Sequence, residues 1–153
     1  MRKICGFTLV ELLITIAIVT ILATIAYPSF LEFMQKARRA DAHSAITTLQ
    51  LAQERLRGSC EFYALNIDGN SDGCPDTATD SSTVDVKGSS TSREGHYRLS
   101  ITAANGNSYS IRAVPVDGGA QASDSDCDEI TLTVDPNHPN GDRGGTSGIA
   151  CWE

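Results

Sequence analysis

Basic residues are scarce in this sequence, and their scarcity narrows the possible functions. The 153 residues include 12 lysines and arginines against 19 aspartates and glutamates, which gives a formal net charge of -7. Proteins that bind nucleic acid obtain much of their affinity from lysine and arginine contacts to phosphates. The charge balance therefore predicts that this chain does not bind nucleic acid directly.

The sequence also lacks the short motifs that carry common catalytic chemistry. It contains no G-x-S-x-G nucleophile elbow, no H-E-x-x-H zinc motif and no P-loop. Its three histidines, His43, His96 and His138, lie in unrelated contexts. We interpret His43 as solvated surface, together with the basic cluster Lys36, Arg38 and Arg39. These absences predict a protein that is not an enzyme.

Closely spaced cysteine pairs are absent as well, which argues against zinc. A structural zinc site needs pairs such as C-x2-C, whereas Cys60, Cys74, Cys127 and Cys151 are widely spaced and Cys5 lies near the N-terminus. If the first residues are removed, four cysteines remain. In a small exported domain, four cysteines indicate two disulfides, with three possible connectivities.

The most prominent feature that is present is a long apolar run near the N-terminus. Residues 7–27 carry one charge, that of Glu11, and 21 helical residues would extend roughly 31 Å, about the thickness of a bilayer core. Arg2 and Lys3 precede the run and predict a cytoplasmic N-terminus. A secretory signal peptide fits poorly, because its apolar stretch is shorter and ends at a small-residue cleavage site.

Glu11 separates the two remaining interpretations of this run, a plain membrane anchor and an assembly subunit. A carboxylate within an apolar span is costly in lipid and most often marks a function. In a lone anchor Glu11 would have no partner. In an assembly it can pair with the N-terminal amine of a neighbouring helix in a low dielectric.

Residues 3–11, Lys-Ile-Cys-Gly-Phe-Thr-Leu-Val-Glu, resemble the class III leader of type IV pilins and type II secretion pseudopilins. In that family a prepilin peptidase cuts after the glycine, which here places the cut between Gly6 and Phe7, and methylates the new N-terminal Phe7. The family also has a glutamate at the fifth mature position, which Glu11 matches, and often a later proline, which Pro28 matches. The resemblance implies that Glu11 acts in assembly, and it covers roughly the first 57 residues.

Helical periodicity continues beyond the apolar run. We expect Pro28 to kink the helix and not to end it, since proline removes one backbone donor and crowds the preceding turn. Apolar residues then recur at spacings of mostly three or four, which predicts a stripe that packs against a sheet. Gly58 is the predicted end of the helix. The members of this stripe are Phe30, Phe33, Ala37, Ala40, Ile46, Leu49, Ala52 and Leu56.

The rest of the sequence predicts strands. Residues 59–94 are rich in Ser, Thr, Asp and Gly and predict a loop region. Alternating apolar and polar residues then predict three strands, with Asn105-Gly106 as the turn between the first two and a weaker fourth strand at the C-terminus. These strands are predicted over residues 97–103, 109–113, 129–134 and, weakly, 149–152. A long helix followed by a strand meander belongs to the α+β class.

The pilin resemblance implies the same fold, in which a long N-terminal helix packs on an antiparallel sheet. It divides the chain into a leader at 1–6, a transmembrane or filament-core helix at 7–27, an amphipathic helix at 28–58 and a β-rich head at 59–153 that lies in the periplasm or outside the cell.

The head resembles the minor-pilin branch of the family. It has a tyrosine-rich strand pair, a cysteine before the third strand, and Gly-x-x-Cys-Trp over residues 148–152. This resemblance implies that Cys127 pairs with Cys151, as in the bridge that closes the C-terminal loop of pilins. Cys60 and Cys74 are then left to pair with each other.

One local motif suggests a cofactor, although the sequence otherwise predicts none. Residues 68–73 fit the start of an EF-hand loop, D-x-[DN]-x-[DN]-G, in which oxygen side chains converge on Ca²⁺. The candidate ligands are Asp68, Asn70, Asp72 and, in the ninth place, Asp76. The twelfth position is Thr79 where an EF-hand has glutamate, and Asp76 and Asp80 could substitute for that ligand. A polar turn without calcium is the alternative.

Together these features predict a minor pilin that is processed by prepilin peptidase and then built into, or primes, a type IV pilus. The partners implied by the resemblance are the peptidase, other major and minor pilins, and the inner-membrane assembly platform. The subunit would wait in the inner membrane as a single-pass protein and end in an extracellular filament. A type II secretion pseudopilin, a DNA-uptake pilin and a lone membrane-anchored binding domain are the alternatives.

Overall fold

A computed structural model describes residues 7–68, 73–75 and 78–153 of the chain, which forms two compact units, Met1–Gln35 and Lys36–Glu153. One helix, α1 (Leu9–Arg57), contains nearly all the described residues of the first unit and the first residues of the second. The helix continues through Pro28 and ends one residue before Gly58, as the sequence predicts. Pro28 therefore does not terminate it.

The second unit, which we call the head, contains two sheets. Strands β1 and β2 form a parallel pair, and strands β3 to β6 form an antiparallel sheet in sequence order. The strands are β1 (Asn66–Asp68), β2 (Asp85–Lys87), β3 (Tyr97–Ala104), β4 (Tyr109–Pro115), β5 (Ile130–Asp135) and β6 (His138–Gly145), and two short 3-10 helices span Ser81–Thr83 and Gly148–Trp152. A long helix with an antiparallel four-stranded sheet is the predicted α+β architecture.

The core of the head lies between α1 and the larger sheet. Ala42, Ile46 and Leu49 recur at helical spacing on one face of α1 and are buried. Tyr97, Leu99 and Ile101 of β3 alternate with exposed residues, and the buried residues of β4 and β5 alternate with half-buried ones. In the head, α1 and the sheet each have one apolar face. Packing these two faces together removes both from water and brings the side chains listed above into contact.

The first half of the predicted helical stripe is wrong. Ile46, Leu49, Ala52 and Leu56 are buried, whereas Phe30, Phe33, Ala37 and Ala40 are exposed. Phe30 and Phe33 belong to the first unit, whose described residues, 7–35, form no sheet to pack against. The buried face near residue 40 instead includes Ala42. Apolar periodicity identified a helix there, but it did not identify what covers the stripe.

Other differences concern the polar segments. The region 59–94 contains β1 and β2 as well as loops, and residues 149–152 lie in a 3-10 helix where a weak strand was predicted. The segment from His138 to Gly145 was not predicted as a strand, yet it pairs with β5 as β6. An ideal Cβ on Gly145 would lie 2.5 Å from the Glu129 carbonyl oxygen and 3.1 Å from Cys151 Cβ. Glycine therefore permits the close approach at this position in the strand.

Candidate functional sites

The start of α1 holds the first group of candidate residues. The Thr8 hydroxyl accepts a hydrogen bond from the Glu11 backbone N–H at 3.2 Å, so Thr8 caps the helix. Glu11 lies in the first turn, where the helix dipole favours a negative charge. Phe7 precedes the helix and is 85% exposed. Gly6 lies outside the described residues.

The apolar residues that follow have no cover within the described chain. The most apolar stretch of α1 is 0% buried, and α1 is long and apolar enough to cross a membrane. Its threonines do not leave hydroxyls unsatisfied, because Thr15, Thr20 and Thr24 donate to backbone carbonyls three or four residues earlier. This half of the helix is therefore suited to lipid or to other apolar helices.

In the head, α1 holds one long loop through a buried ion pair. The Arg39 guanidinium donates two hydrogen bonds, both 2.7 Å, to the two carboxylate oxygens of Asp124 in the β4–β5 connection. Both side chains are buried, and Gln121 donates a further bond to Asp124. The bonds to Asp124 raise the pKa of Arg39 above its ordinary value. A bidentate geometry of this kind fixes the loop against the helix.

Asp41 holds a second loop. Its carboxylate accepts hydrogen bonds from the Ser92 hydroxyl at 2.6 Å and from the backbone N–H groups of Glu94 and His96 at 3.1 and 3.4 Å. These residues lie in the connection between β2 and β3. Arg39 and Asp41 therefore attach two separate loops to neighbouring positions on α1.

A groove lies between α1 and the connection that Asp41 holds. Its volume is about 500 Å³. Ala45 and Leu49 supply apolar surface, and two exposed cations, Lys87 and Arg93, belong to its opposite wall. Hydroxyl groups complete much of the lining, from Ser44, Thr48, Ser89, Thr91 and Ser92.

The C-terminus packs against the helix through aromatic residues. The rings of His43 and Trp152 are stacked, with centroids 4.6 Å apart and planes 6° apart. His43 Nε2 lies 2.8 Å from the Cys151 carbonyl oxygen, and Trp152 donates to the Gly144 carbonyl at 2.9 Å. The Arg143 guanidinium lies 5.3 Å from the centre of a Trp152 ring. His43 is thus a packing residue, and the interpretation as solvated surface is wrong.

Comparison with known protein families shows which family this chain belongs to. The family model described as "Type IV minor pilin ComP, DNA uptake sequence receptor" matches residues 28–131, and the model of the "Prokaryotic N-terminal methylation motif" matches residues 1–27. The first match covers more than half of the chain. The chain belongs to the family of the type IV minor pilin ComP. The apolar helix and the α+β head are accordingly those of a membrane-anchored pilin.

Individual pilins are similar over part of the chain. The chain is 43% identical over 59 residues to the type IV major pilin protein PilA of Myxococcus xanthus, an alignment that covers 39% of this chain and 27% of that protein. It is 39% identical over 57 residues to a fimbrial protein of Moraxella nonliquefaciens, with 36% and 37% covered. The chain therefore spans only about a quarter to a third of these relatives.

The pilin head contains two disulfides. Cys60 is bonded to Cys74 and Cys127 to Cys151, with Cα–Cα distances of 5.8 and 5.5 Å. These are the two pairs that the sequence analysis favoured. The second bridge connects the 3-10 helix that carries Trp152 to the loop that Arg39 holds.

The candidate calcium ligands lie mostly outside the described residues. Asp68 ends β1, whereas Asn70, Asp72 and Asp76 are not among the residues described. An added Cβ on Gly73, the glycine of the motif, would lie 3.4 Å from Asp85 Oδ2, so a further carboxylate lies beside the motif. Within residues 7–68, 73–75 and 78–153, no group of three acidic, histidine or cysteine side chains could hold a metal ion.

Sequence reasoning missed several residues that organise the pilin head. Arg39 is buried, so its interpretation as solvated surface is wrong. The sequence did not single out Asp41, and the single Trp152 gave no indication of its stacking partner. The only available signal was that charged residues stand near apolar ones at helical spacing around residue 42. That pattern does not distinguish a solvated flank from a buried contact, because the partners are 50 to 110 residues away in sequence.

Proposed function

We propose that this chain is a minor subunit of a type IV pilus that is made as a membrane-anchored precursor and then built into an extracellular filament. One observation carries this proposal: the methylation-motif match over residues 1–27 is followed directly by the minor-pilin match over residues 28–131. The exposed apolar half of α1 supports it, because that surface needs either lipid or neighbouring helices. In this role the protein is an assembly subunit and not an enzyme.

Processing comes first in this proposal. A prepilin peptidase cuts between Gly6 and Phe7 and methylates the amine of Phe7. Mass spectrometry of subunits from sheared filaments should give an N-terminal peptide that begins with N-methylated Phe7. Filament subunits that still begin with Met1 would contradict the proposal.

Before assembly, the precursor would lie in the inner membrane with its N-terminus in the cytoplasm, as Arg2 and Lys3 favour. The assembly platform would then transfer it from lipid to a filament of major and minor pilins. Glu11 would replace its lost hydration by pairing with the N-terminal amine of a neighbouring Phe7. An ion pair in a low dielectric is much stronger than one in water, so it can select the correct neighbour.

A DNA-uptake receptor is the second candidate, because the matching family model is described as a receptor for a DNA uptake sequence. The charge of the head weighs against it. Arg2, Lys3, Glu11 and Glu32 precede the head, so residues 36–153 contain 10 basic and 17 acidic residues. We retain the prediction that the pilin does not bind DNA directly.

An electrophoretic mobility shift assay tests this choice. Purified full chain in detergent would be mixed with labelled genomic fragments from its own host, with unrelated DNA as competitor. We expect no shifted band at about 150 mM salt, since affinity for duplex DNA depends on phosphate neutralisation. A band that resists unrelated competitor but not unlabelled host DNA would support the receptor function instead.

Calcium is a further proposal that rests on residues 68–76. Asp68, Asn70, Asp72 and Asp76 would supply oxygen ligands, and Asp85 lies close to the same loop. If calcium binds, it should raise the melting temperature of the full chain, because a ligand of the folded state stabilises it. Asp68→Ala with Asp72→Ala should abolish that rise, whereas Asp117→Ala with Asp126→Ala removes equal charge and should keep it. If calcium does not change the melting temperature of the unmutated chain, the motif is a polar turn and not a calcium site.

A further inference from the structure

The head contains two asparagine–glycine pairs, Asn105-Gly106 and Asn140-Gly141. An asparagine in such a pair can lose its side-chain amide without an enzyme, because glycine has no side chain to shield its backbone nitrogen from the amide carbon. Both asparagines are exposed to solvent. The head holds their side chains in different ways, and this difference determines which of them can react.

The Asn105 side chain is fixed by three hydrogen bonds within the β3–β4 turn. Its Oδ1 accepts from the backbone N–H groups of Asn107 and Ser108 at 2.7 and 2.8 Å, and its Nδ2 donates to the Ser108 hydroxyl at 2.8 Å. These bonds hold the amide group against residues 107 and 108. The rotation that would bring the amide carbon to the Gly106 nitrogen has to break them, which slows the reaction.

Asn140 lies in a β-bulge, where residues 139–141 of β6 lie opposite Val134 alone of β5. The hydrogen bond that the structure shows for Asn140 involves its backbone, because Gln50 Nε2 donates to its carbonyl oxygen at 3.5 Å. Among the residues that the structure describes, none forms a hydrogen bond with the Asn140 side-chain amide. This amide can therefore rotate toward the Gly141 nitrogen.

The bulge also requires glycine at residue 141. The φ angle of Gly141 is +91°, a left-handed conformation that other residues rarely adopt. An ideal Cβ on Gly141 would lie 2.5 Å from Leu132 Cδ1. The fold thus places the residue with the most accessible backbone nitrogen directly after an asparagine whose side chain can rotate.

We propose that Asn140 is a site of spontaneous deamidation, which converts it to aspartate and isoaspartate. The backbone nitrogen of Gly141 attacks the side-chain amide carbon of Asn140 and forms a cyclic succinimide. The bond from that carbon to the amide nitrogen breaks, and ammonia leaves with the proton of the Gly141 N–H. Water then opens the ring at either carbonyl, which gives aspartate or isoaspartate.

The modification changes the head in two ways. Both products have a carboxylate where Asn140 has a neutral amide, so each event adds one negative charge. Isoaspartate also adds one carbon to the main chain, at a point where β6 already has extra residues opposite β5. The reaction needs only the folded head and water, so it does not depend on the proposed pilus function.

Peptide mapping of the full chain tests this site. Purified chain in mild detergent would be kept in mildly alkaline buffer made with heavy-oxygen water, sampled over time, reduced and digested with trypsin. Cleavage after Arg98, Arg112 and Arg143 places the two asparagine–glycine pairs in different peptides. Hydrolysis of each succinimide adds one heavy oxygen atom. We expect Asn140 to react at least about tenfold faster than Asn105, because Asn105 must first break its side-chain bonds.

The isolated tryptic peptides separate the effect of the fold from that of the sequence. Without the fold, Asn105 and Asn140 should react within about threefold of each other, since both precede glycine. In the folded chain, Ser108→Ala removes a partner of the Asn105 amide and should accelerate the reaction at Asn105 only. Asn140→Gln should remove the label from residue 140, because the longer side chain closes a ring much more slowly.

The rates in the folded chain decide the outcome. A difference smaller than expected between Asn140 and Asn105, or faster reaction at Asn105, would overturn the inference. It would also be overturned if Asn140 reacts at least about tenfold more slowly in the folded chain than in the isolated peptide, since the bulge would then protect the amide. Whether the chain is found in sheared filaments is a separate measurement, so the pilus function can fail or stand independently.

Discussion

The two halves of α1 use apolar residues in opposite ways. In the first unit, apolar residues occur all around the helix, and large ones such as Ile14, Ile18 and Leu22 are more than half exposed. In the head, most apolar residues of α1 occupy one face, where Ile46 and Leu56 are buried by the chain's own sheet, and Leu51 is a large apolar residue that lies exposed outside that face. A helix that is apolar all round needs an apolar environment from outside, whereas a one-sided helix can be covered by its own domain.

This difference determines how a substitution should act in each half. A change near the N-terminus should alter where the protein goes and what it joins, while leaving the stability of the head unchanged. A change among the contacts of the head should alter unfolding and leave processing unchanged.

The largest effect should come from Glu11→Ala. This change removes a carboxylate from the apolar half, so insertion into the membrane becomes easier, while the proposed pairing with a neighbouring amine is lost. We expect the amount in sheared filaments to fall at least about tenfold, with the amount in the inner membrane unchanged. Immunoblots of both fractions would measure this.

Glu32→Ala is the matched control, because Glu32 is the other carboxylate of the first unit and lies beyond residues 7–27. The amount of Glu32→Ala in sheared filaments should equal that of the wild type. Normal incorporation of Glu11→Ala would remove the distinction between this chain and a simple membrane anchor.

The next largest effect should come from Arg39→Ala in the head. The change leaves the carboxylate of Asp124 buried without its cation, which typically costs about 3–5 kcal/mol. Chemical unfolding of the full chain in detergent, followed by near-ultraviolet circular dichroism, would measure the loss. Cleavage at Gly6 should continue, because processing depends on the other half of the helix.

Arg38→Ala provides the control for Arg39. Arg38 is only half-buried and donates one bond of 3.3 Å to the Ala120 carbonyl oxygen. Its removal should cost less than about 1 kcal/mol, since a single exposed bond contributes little. Equal losses for the two variants would show that the buried pair has no special role in holding the β4–β5 connection against α1.

The disulfides should have a somewhat smaller effect. Cys127 and Cys151 are separated by 24 residues and Cys60 and Cys74 by 14. Loop-closure entropy predicts about 3 kcal/mol for such bridges, with slightly more for the longer loop. Cys151→Ser should therefore destabilise the head a little more than Cys60→Ser in the same unfolding assay. The reverse order would mean that packing, and not loop length, determines their contributions.

Sequence patterns predicted those parts of the fold that are specified locally. Alternation located β3, β4 and β5 within two residues at each end, and Asn105 formed the expected turn by accepting bonds from the N–H groups of Asn107 and Ser108. Strand β6 was missed because its sequence, with three glycines and one proline in eight residues, has no apolar–polar alternation. Its conformation depends on pairing with β5, a contact between strands that a propensity does not encode.

The candidate sites also divide into those that a local sequence pattern marks and those that it does not. The residues near the proposed cleavage point formed a contiguous motif, so they could be proposed from sequence. The contacts of Arg39, Asp41 and His43 join the helix to loops far along the chain, and no local pattern marks them. Long-range side-chain contacts were therefore the part that required a structure.

The smallest predicted effect concerns His43, whose ring is stacked on Trp152 at the boundary between α1 and the C-terminal 3-10 helix. Burial lowers the pKa of His43 below its ordinary value of 6.5, and the nearby cations Arg143 and Arg39 lower it further, although the bond to the Cys151 carbonyl acts in the opposite direction. The unfolded chain therefore binds a proton at a higher pH than the folded head does. The contribution of neutral His43 to stability is complete above pH 6.5 and is lost as the pH falls through the lower folded pKa.

Replacing His43 with glutamine should remove this part of the pH dependence, because an amide does not titrate in this range but can still donate to the Cys151 carbonyl. The free energy of unfolding of the wild type should decrease between pH 6.5 and 5 with a slope of at most about 1.4 kcal/mol per pH unit, and that of His43→Gln should decrease less steeply. His96→Gln is the control, since His96 lies away from the Trp152 stack. Its free energy of unfolding should decrease between these pH values as steeply as that of the wild type. Carboxylates such as Asp80 and Asp135, whose pKa values are lowered from 3.8 by hydrogen bonds, affect stability only in more acidic solution. An unchanged slope in His43→Gln would show that the stack with Trp152 does not depend on the charge of the imidazole.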